Sequence, residues 1–184
     1  DIHQGMAQID RHLGGTLPLD IYLRFEKFES YEDDFFDDIE DPYPARYWYT
    51  PDKISLLDQL DQKLSEREEI GKVISLASME RLSRKFNDGD SLSGVEIAYV
   101  LGELPDDVRS FLIEPYAVPG EGWMRVNARI SESASDYSKD ELIRDIRRFA
   151  EEDLNLDTDN LIVTGMVVLF NDMLQQLADS QTRT

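Results

Sequence analysis

Residues 17–25 constrain the fold more than any other stretch. Leu17, Leu19, Ile21, Leu23 and Phe25 alternate with Pro18, Asp20, Tyr22 and Arg24. A strict period of two belongs to a strand with one face buried and one face wet. Pro18 suits the start or edge of such a strand, where no ladder hydrogen bond is lost. The pattern returns at Met124, Val126, Ala128 and Ile130, which alternate with Arg125, Asn127 and Arg129. Leu161 to Thr164 is apolar and β-branched and turns at Gly165, so it reads as a buried strand. Val73, Ile74, Leu76 and Ala77, after Gly71, read as a short one. A sheet of this kind must bury its apolar face under helices.

The helices are marked by caps and stripes. Thr50 is placed to cap a helix with Pro51 at its first position. Ile54, Leu57, Leu60 and Leu64 then lay one apolar stripe along residues 51–65. Ser138 to Glu141 forms a capping box. The helix behind it carries Leu142, Ile146, Phe149 and Leu154 inward, with Arg144, Arg147 and Arg148 outward in surface ion pairs. With residues 78–121 set aside, the order is strand, helix, strand, strand, helix, strand. That is the split β-α-β pattern of an α+β, ferredoxin-like fold: a four-stranded antiparallel sheet with both helices on one face.

Residues 78–121 read as an all-helical insertion. Met79, Leu82 and Phe86 share a face that ends at Asn87-Asp88-Gly89. Ser93 to Glu96 is a capping box opening a helix with Val95, Ala98, Tyr99 and Leu101 inward. Pro105 starts a short helix with Asp106 and Asp107 in its first turn and Val108, Phe111 and Leu112 as its inner face. Pro115 and Pro119-Gly120 close the insertion. The whole chain is expected to be a single unit over residues 1–184, with a core of 15–77 and 122–166. Two helices bracket it: residues 2–13, with Ile2, Met6, Ile9 and Leu13 on one side, and residues 167–181, with Val167, Phe170, Met173, Leu174 and Leu177. The apolar run 161–170 is shorter than the roughly 20 residues that span a bilayer. Asp1, with neither a signal peptide nor a transmembrane run, leads us to expect a processed form or an excised fragment.

Composition narrows the function. The formal net charge of −20 argues against nucleic-acid binding and against docking on anionic lipid. Without Cys there is no disulfide framework, thiolate metal site or Cys nucleophile. His3 and His12 share no helix face and have no third ligand type nearby, so no metal site is expected. Residues 26–46 hold nine acids and two bases around Tyr31, Phe35, Phe36, Ile39 and Tyr43. Asp33, Asp34, Asp37, Asp38, Glu40 and Asp41 lack the spacing and the Gly of a calcium loop, and they read as solvated charge. No phosphate loop or nucleophile elbow occurs, and no catalytic residue or cofactor is expected. Arg46-Tyr47-Trp48-Tyr49 reads as an aromatic cluster of core or interface.

Several segments, in consistent order, resemble one family. These are residues 13–19 (Leu-Gly-Gly-Thr-Leu-Pro-Leu), 47–53 (Tyr-Trp-Tyr-Thr-Pro-Asp-Lys) and 71–78 (Gly-Lys-Val-Ile-Ser-Leu-Ala-Ser), Leu104-Pro105 with Pro115-Tyr116, and Val163-Thr164-Gly165 through residues 171–175 (Asn-Asp-Met-Leu-Gln) to Ser180-Gln181. Together they are similar to the extracytoplasmic loop of bacterial resistance-nodulation-division (RND) superfamily exporters, in the MMPL-like and hydrophobe/amphiphile efflux branch. The resemblance covers most of the chain but gives residues 26–46 no counterpart.

The resemblance implies a periplasmic, porter-type domain of an inner-membrane transport protein that exports hydrophobic or lipid-like compounds on the proton gradient. This domain would be non-enzymatic by itself. Residues 2–13 and 167–181 would be membrane-proximal helices. The partners implied are the second periplasmic domain and the transmembrane helices of the same transporter, its lipid-like substrate, and further copies in a homo-oligomer. A path for amphiphiles needs apolar and aromatic walls, which makes Tyr47, Trp48, Tyr116 and Trp123 the candidates by residue type. Two rival expectations stand beside this one. The first is a secreted or periplasmic module that binds calcium or a protein through residues 29–43. The second is an acid-dependent hydrolase, which would need a cleft carboxylate of raised pKa.

Overall fold

The alternation at residues 17–25 becomes strand β1 (Leu17–Arg24), in which Leu19, Ile21 and Leu23 are fully buried. The structure, a computed structural model, describes residue 5 and residues 14–29, 44–131, 139–166, 168 and 169. Apart from residues 5, 168 and 169, the expected helices 2–13 and 167–181 lie outside the described residues, as do the acidic run from residue 30 to 43 and the Ser138 cap. In chain order the elements after β1 are a 3-10 turn (Pro44–Trp48), α1 (Pro51–Ser65), β2 (Ile70–Ile74), α2 (Leu76–Phe86), α3 (Gly94–Glu103) and α4 (Asp106–Leu112). The short β3 (Ala117–Val118), β4 (Trp123–Ile130), α5 (Lys139–Glu152) and β5 (Leu161–Gly165) follow, with 3-10 turns at Pro119–Glu121 and Thr158–Asn160.

The fold is mixed α+β with one antiparallel sheet in the order β2-β4-β1-β5, and β3 adds to β4. Register puts Leu19 opposite Ala128, Ile21 opposite Val126 and Leu23 opposite Met124. Leu161 and Val163 lie beyond, opposite Leu23 and Ile21. This face is closed by Leu57, Leu60 and Leu64 of α1 and by Leu142, Ile146 and Ala150 of α5, which join one core. Burying each large aliphatic chain in it stabilises the fold by about 1.5–3 kcal/mol. The opposite face carries Asp20, Tyr22, Arg125 and Asn127, where Arg125 Nη2 pairs with Asp20 Oδ1 at 2.7 Å.

Gly15 sets the entry to β1. Its φ is +99°, and a Cβ there would lie 2.5 Å from the Ile130 carbonyl carbon. Thr16 N donates to Ile130 O at 3.1 Å, which starts the β1–β4 ladder.

Three expectations need correction. The second strand runs from Ile70 to Ile74, and Leu76 and Ala77 belong to α2. Ser75 decides this boundary. Its hydroxyl accepts from Ala77 N, and Ser78 Oγ accepts from Ser75 N, a reciprocal cap that opens the helix there. The insertion therefore begins at Leu76.

In α3 the buried residues are Ile97, Ala98 and Leu101, while Val95 and Tyr99 are exposed. An almost wholly apolar helix gives no polar face to fix its rotation from sequence. In α4 no residue is buried, and Phe111 points to solvent. The helix spans only seven residues and rests on the fold mainly through the chain after it, where Ile113 is buried.

Candidate functional site

The insertion folds α2 and α3 about an apolar groove of about 240 Å³, to which α1 contributes Ile54. One wall is Ile54 of α1 with Leu76, Met79 and Leu82 of α2. Ile97, Val100 and Leu101 of α3 form the facing wall, and Leu92, Leu104, Leu112 and Ile113 come from the segments on either side of α3. Its polar side chains are Tyr49, Glu80 and Ser83. Leu82, Val100 and Leu112 stand exposed at the rim, so the groove opens to solvent.

Local sequence explains why these side chains converge. The Ser75–Ser78 cap fixes the start of α2, and Leu76, Met79, Glu80 and Ser83 follow at helical steps on one side of it. The Ser93 and Glu96 capping box fixes α3: Glu96 Oε2 accepts from Ser93 N at 2.7 Å, and Glu96 N donates to Ser93 Oγ. These bonds hold the Glu96 carboxyl below its ordinary range. Gly102 lets the Arg46 guanidinium lie against α3, for a Cβ there would collide with its Nη1. That contact ties α3 to the 3-10 turn that delivers Tyr49.

The side of α2 away from the groove is clamped to α1 by ions. Arg81 pairs with Asp58 through Nη1 and with Asp61 Oδ2 through Nη2, the latter at 2.8 Å. Asp61 is buried and also accepts from Ser75 Oγ at 2.8 Å and Ser78 Oγ at 3.2 Å. Gln62 Nε2 donates to Asp58 Oδ2 at 2.7 Å. Burial pushes the Asp61 carboxyl above its usual range, although the bonds from Ser75 and Arg81 oppose the shift. Burial also pulls the Arg81 guanidinium down, but its two carboxylate partners outweigh this and raise it. The clamp positions the groove wall and does not enter the groove.

Glu80 stands at the edge of the groove. Its carboxylate is buried, and Oε1 accepts from Arg84 Nε at 2.7 Å. Oε2 accepts no hydrogen bond from a described residue. A second recess of about 230 Å³ adjoins the groove and shares Ile54, Glu80, Leu92 and Ile97 with it. Its remaining lining is Pro51 with Asp52, Ser55, Arg84 and Ser91, so it is more polar than the groove.

The four residues expected to line a substrate path lie in four separate settings, and none lines the groove. Trp48 is a core residue; its Nε1 donates to Glu26 O at 2.7 Å, and its ring meets Phe25 and Tyr49 edge-on. Tyr47 is exposed and stacks under Arg46, which also donates to its hydroxyl at 2.9 Å. Tyr116 is half-buried against the core beside β3. Trp123 opens β4 on the wet sheet face, under Arg24, and borders a shallow apolar patch with Tyr22, Val118 and Ile162. Sequence reasoning missed the groove itself. The available signal was the run Val95-Glu96-Ile97-Ala98-Tyr99-Val100-Leu101, which is more apolar than a helix with one buried face requires.

Among the described residues no helix is long and apolar enough to cross a membrane. No protein-family model, curated protein or solved structure matches the chain.

Proposed function

We propose that this chain is the extracytoplasmic domain of a proton-driven exporter of the RND type, which handles hydrophobic or lipid-like compounds and does no covalent chemistry itself. The observation that carries the reading is the groove: an open apolar cavity on a chain whose net charge is −20. A highly charged surface keeps such a chain soluble. A solvent-open apolar cleft on it is costly unless something apolar fills it at least part of the time. The strand order β2-β4-β1-β5, with α1 and α5 as the crossovers, supports the ferredoxin-like, porter-type form of the fold. On this reading the groove forms part of the substrate path. The domain belongs on the periplasmic side of an inner membrane, against a second domain and the transmembrane helices of the same protein.

The test is binding of a neutral apolar dye, N-phenyl-1-naphthylamine, to the chain of residues 1–184. Fluorescence enhancement is expected in the native chain and its loss in Ser83→Trp, where the indole would fill the groove between α2 and α3. Equal enhancement in both chains would show that the groove is not the binding site. The exporter half of the proposal is read from the parent reading frame, which should hold apolar runs of about 20 residues on both sides of this segment. A stop codon near Thr184 behind a secretory leader would end it.

A further inference from the structure

We infer that Glu80 makes this groove selective for apolar chains that end in a neutral hydrogen-bond donor, a hydroxyl above all. The inference rests on the groove being a binding site for apolar molecules, and it names which of them fit. The apolar groove and the more polar recess share Glu80, so a molecule seated across that wall has its chain among Met79, Ile97 and Leu101 and its head at the carboxylate.

Three observations choose the head. Oε2 is a buried acceptor that takes no hydrogen bond from a described residue, and leaving such an atom unpaired is costly. A donor on the ligand relieves it; an acceptor-only head such as a ketone does not. Oε1 is already paired with the Arg84 guanidinium, which balances the Glu80 charge. Glu80 therefore offers a second cation no uncompensated charge, and Asp52, the other carboxylate of the recess, is exposed to solvent that screens it, which disfavours an ammonium head. A carboxylate head would face Glu80 and Asp52 with only Arg84 to offset them, and it is disfavoured by repulsion. Oε2 is shielded from solvent, so the carboxyl must turn about its last torsion to meet the ligand. That torsion is broad and soft in glutamate.

Displacement of N-phenyl-1-naphthylamine from the 184-residue chain by 1-octanol, 2-octanone and octylammonium tests this. The three share an eight-carbon chain and differ in the head. 1-Octanol is expected to displace the dye at about a tenfold lower concentration than 2-octanone, as befits one hydrogen bond to a charged acceptor. Octylammonium should also be weaker than 1-octanol. In Glu80→Gln, the amide keeps the volume and offers a donor of its own, so the preference for 1-octanol over 2-octanone should fall to within about twofold. Should the Gln variant not fold, the wild-type comparison decides the matter without it. Equal displacement by 1-octanol and 2-octanone in the wild type overturns the role of Glu80 and leaves the groove as a site. A tighter octylammonium than 1-octanol overturns the choice of a neutral head. Failure of the dye to bind at all overturns the groove reading, and this inference with it.

Discussion

Replacing Arg81 with methionine tests whether the clamp between α1 and α2 is held by charge. The substitution keeps an unbranched side chain and removes the guanidinium that pairs with Asp58 and Asp61. What is left is a buried Asp61 and a mostly buried Asp58 with no cation between them. Breaking a buried ion pair by deleting one partner costs about 3–5 kcal/mol. Two features lower that figure here. The Arg81 side chain is 36% exposed, so solvent screens part of the interaction. Asp61 also keeps Ser75 and Ser78 as donors, and Asp58 keeps Gln62.

We therefore expect a loss of about 2–3 kcal/mol at pH 7, read as a shift of the urea midpoint at constant slope. In melting temperature it corresponds to about 5–10 °C for a domain of this size. The loss should depend on pH in one direction. Asp61 already has a folded-state pKa above its unfolded value, because burial disfavours its charge. Such a group supports the fold below its unfolded pKa, near 4, and withdraws that support as pH rises through the folded value. Without Arg81 the shift grows, so the deficit of Arg81→Met should be largest at pH 7 and shrink as pH falls towards 4. Neutralising the stranded acid should act in the same way: Asp61→Asn, added to Arg81→Met, is expected to recover about 1 kcal/mol at pH 7. A deficit that is the same at pH 7 and pH 4.5, with no recovery from Asp61→Asn, would refute the account and assign the cost to lost packing alone.

Two further outcomes follow from particular contacts. Gly15→Ala should destabilise the chain by about 2–3 kcal/mol in urea unfolding, because it places a Cβ against the Ile130 carbonyl at a positive φ; a change within about 0.5 kcal/mol would show that β1 can shift at its start without cost. Lys53→Met should cost about 1 kcal/mol and alter Trp48 fluorescence, since the buried ammonium donates to Trp48 O at 2.9 Å, pairs with Glu26 Oε1 at 2.6 Å and lies 4.1 Å from the Trp48 ring centre; a more stable variant would mean that desolvating Lys53 outweighs these contacts.

The sheet was legible in the sequence because its signal is local. Alternation at residues 17–25 and 124–130 depends only on which neighbours face the core, and both strands formed where the pattern placed them. Residues 51–65 were equally legible, since Thr50 caps the helix and Pro51 sits in its first turn. The insertion was less so. Its helices bury little of their own surface, and the faces of α3 and α4 are set by what they rest on. Arg46 against Gly102 is such a contact, and it joins residues 56 positions apart. The clamp was hidden for another reason. Asp58 and Asp61 look like the wet side of an amphipathic helix until Arg81 is brought over them. In a chain with 39 acids no carboxylate stands out by type.

The groove and the clamp are two sides of one helix, and this links stability to binding. Leu76, Met79, Glu80 and Ser83 face the groove, while Ser75, Ser78 and Arg81 hold Asp58 and Asp61 of α1. Leu76 and Ala77 also anchor α2 in the core, so weakening the clamp should loosen the rest of α2 before it unfolds β1 or β4. The polar network at the start of α2 thus acts with the packed lining residues in setting the groove's width. An apolar lining alone collapses on itself, because nothing in dispersion or hydrophobic contact favours an open cleft. A buried charge network has directional bonds and one good geometry. Placing it behind the wall keeps the cleft open without putting charge where an apolar chain must lie, and it leaves Glu80 as the one carboxylate among the groove's lining residues.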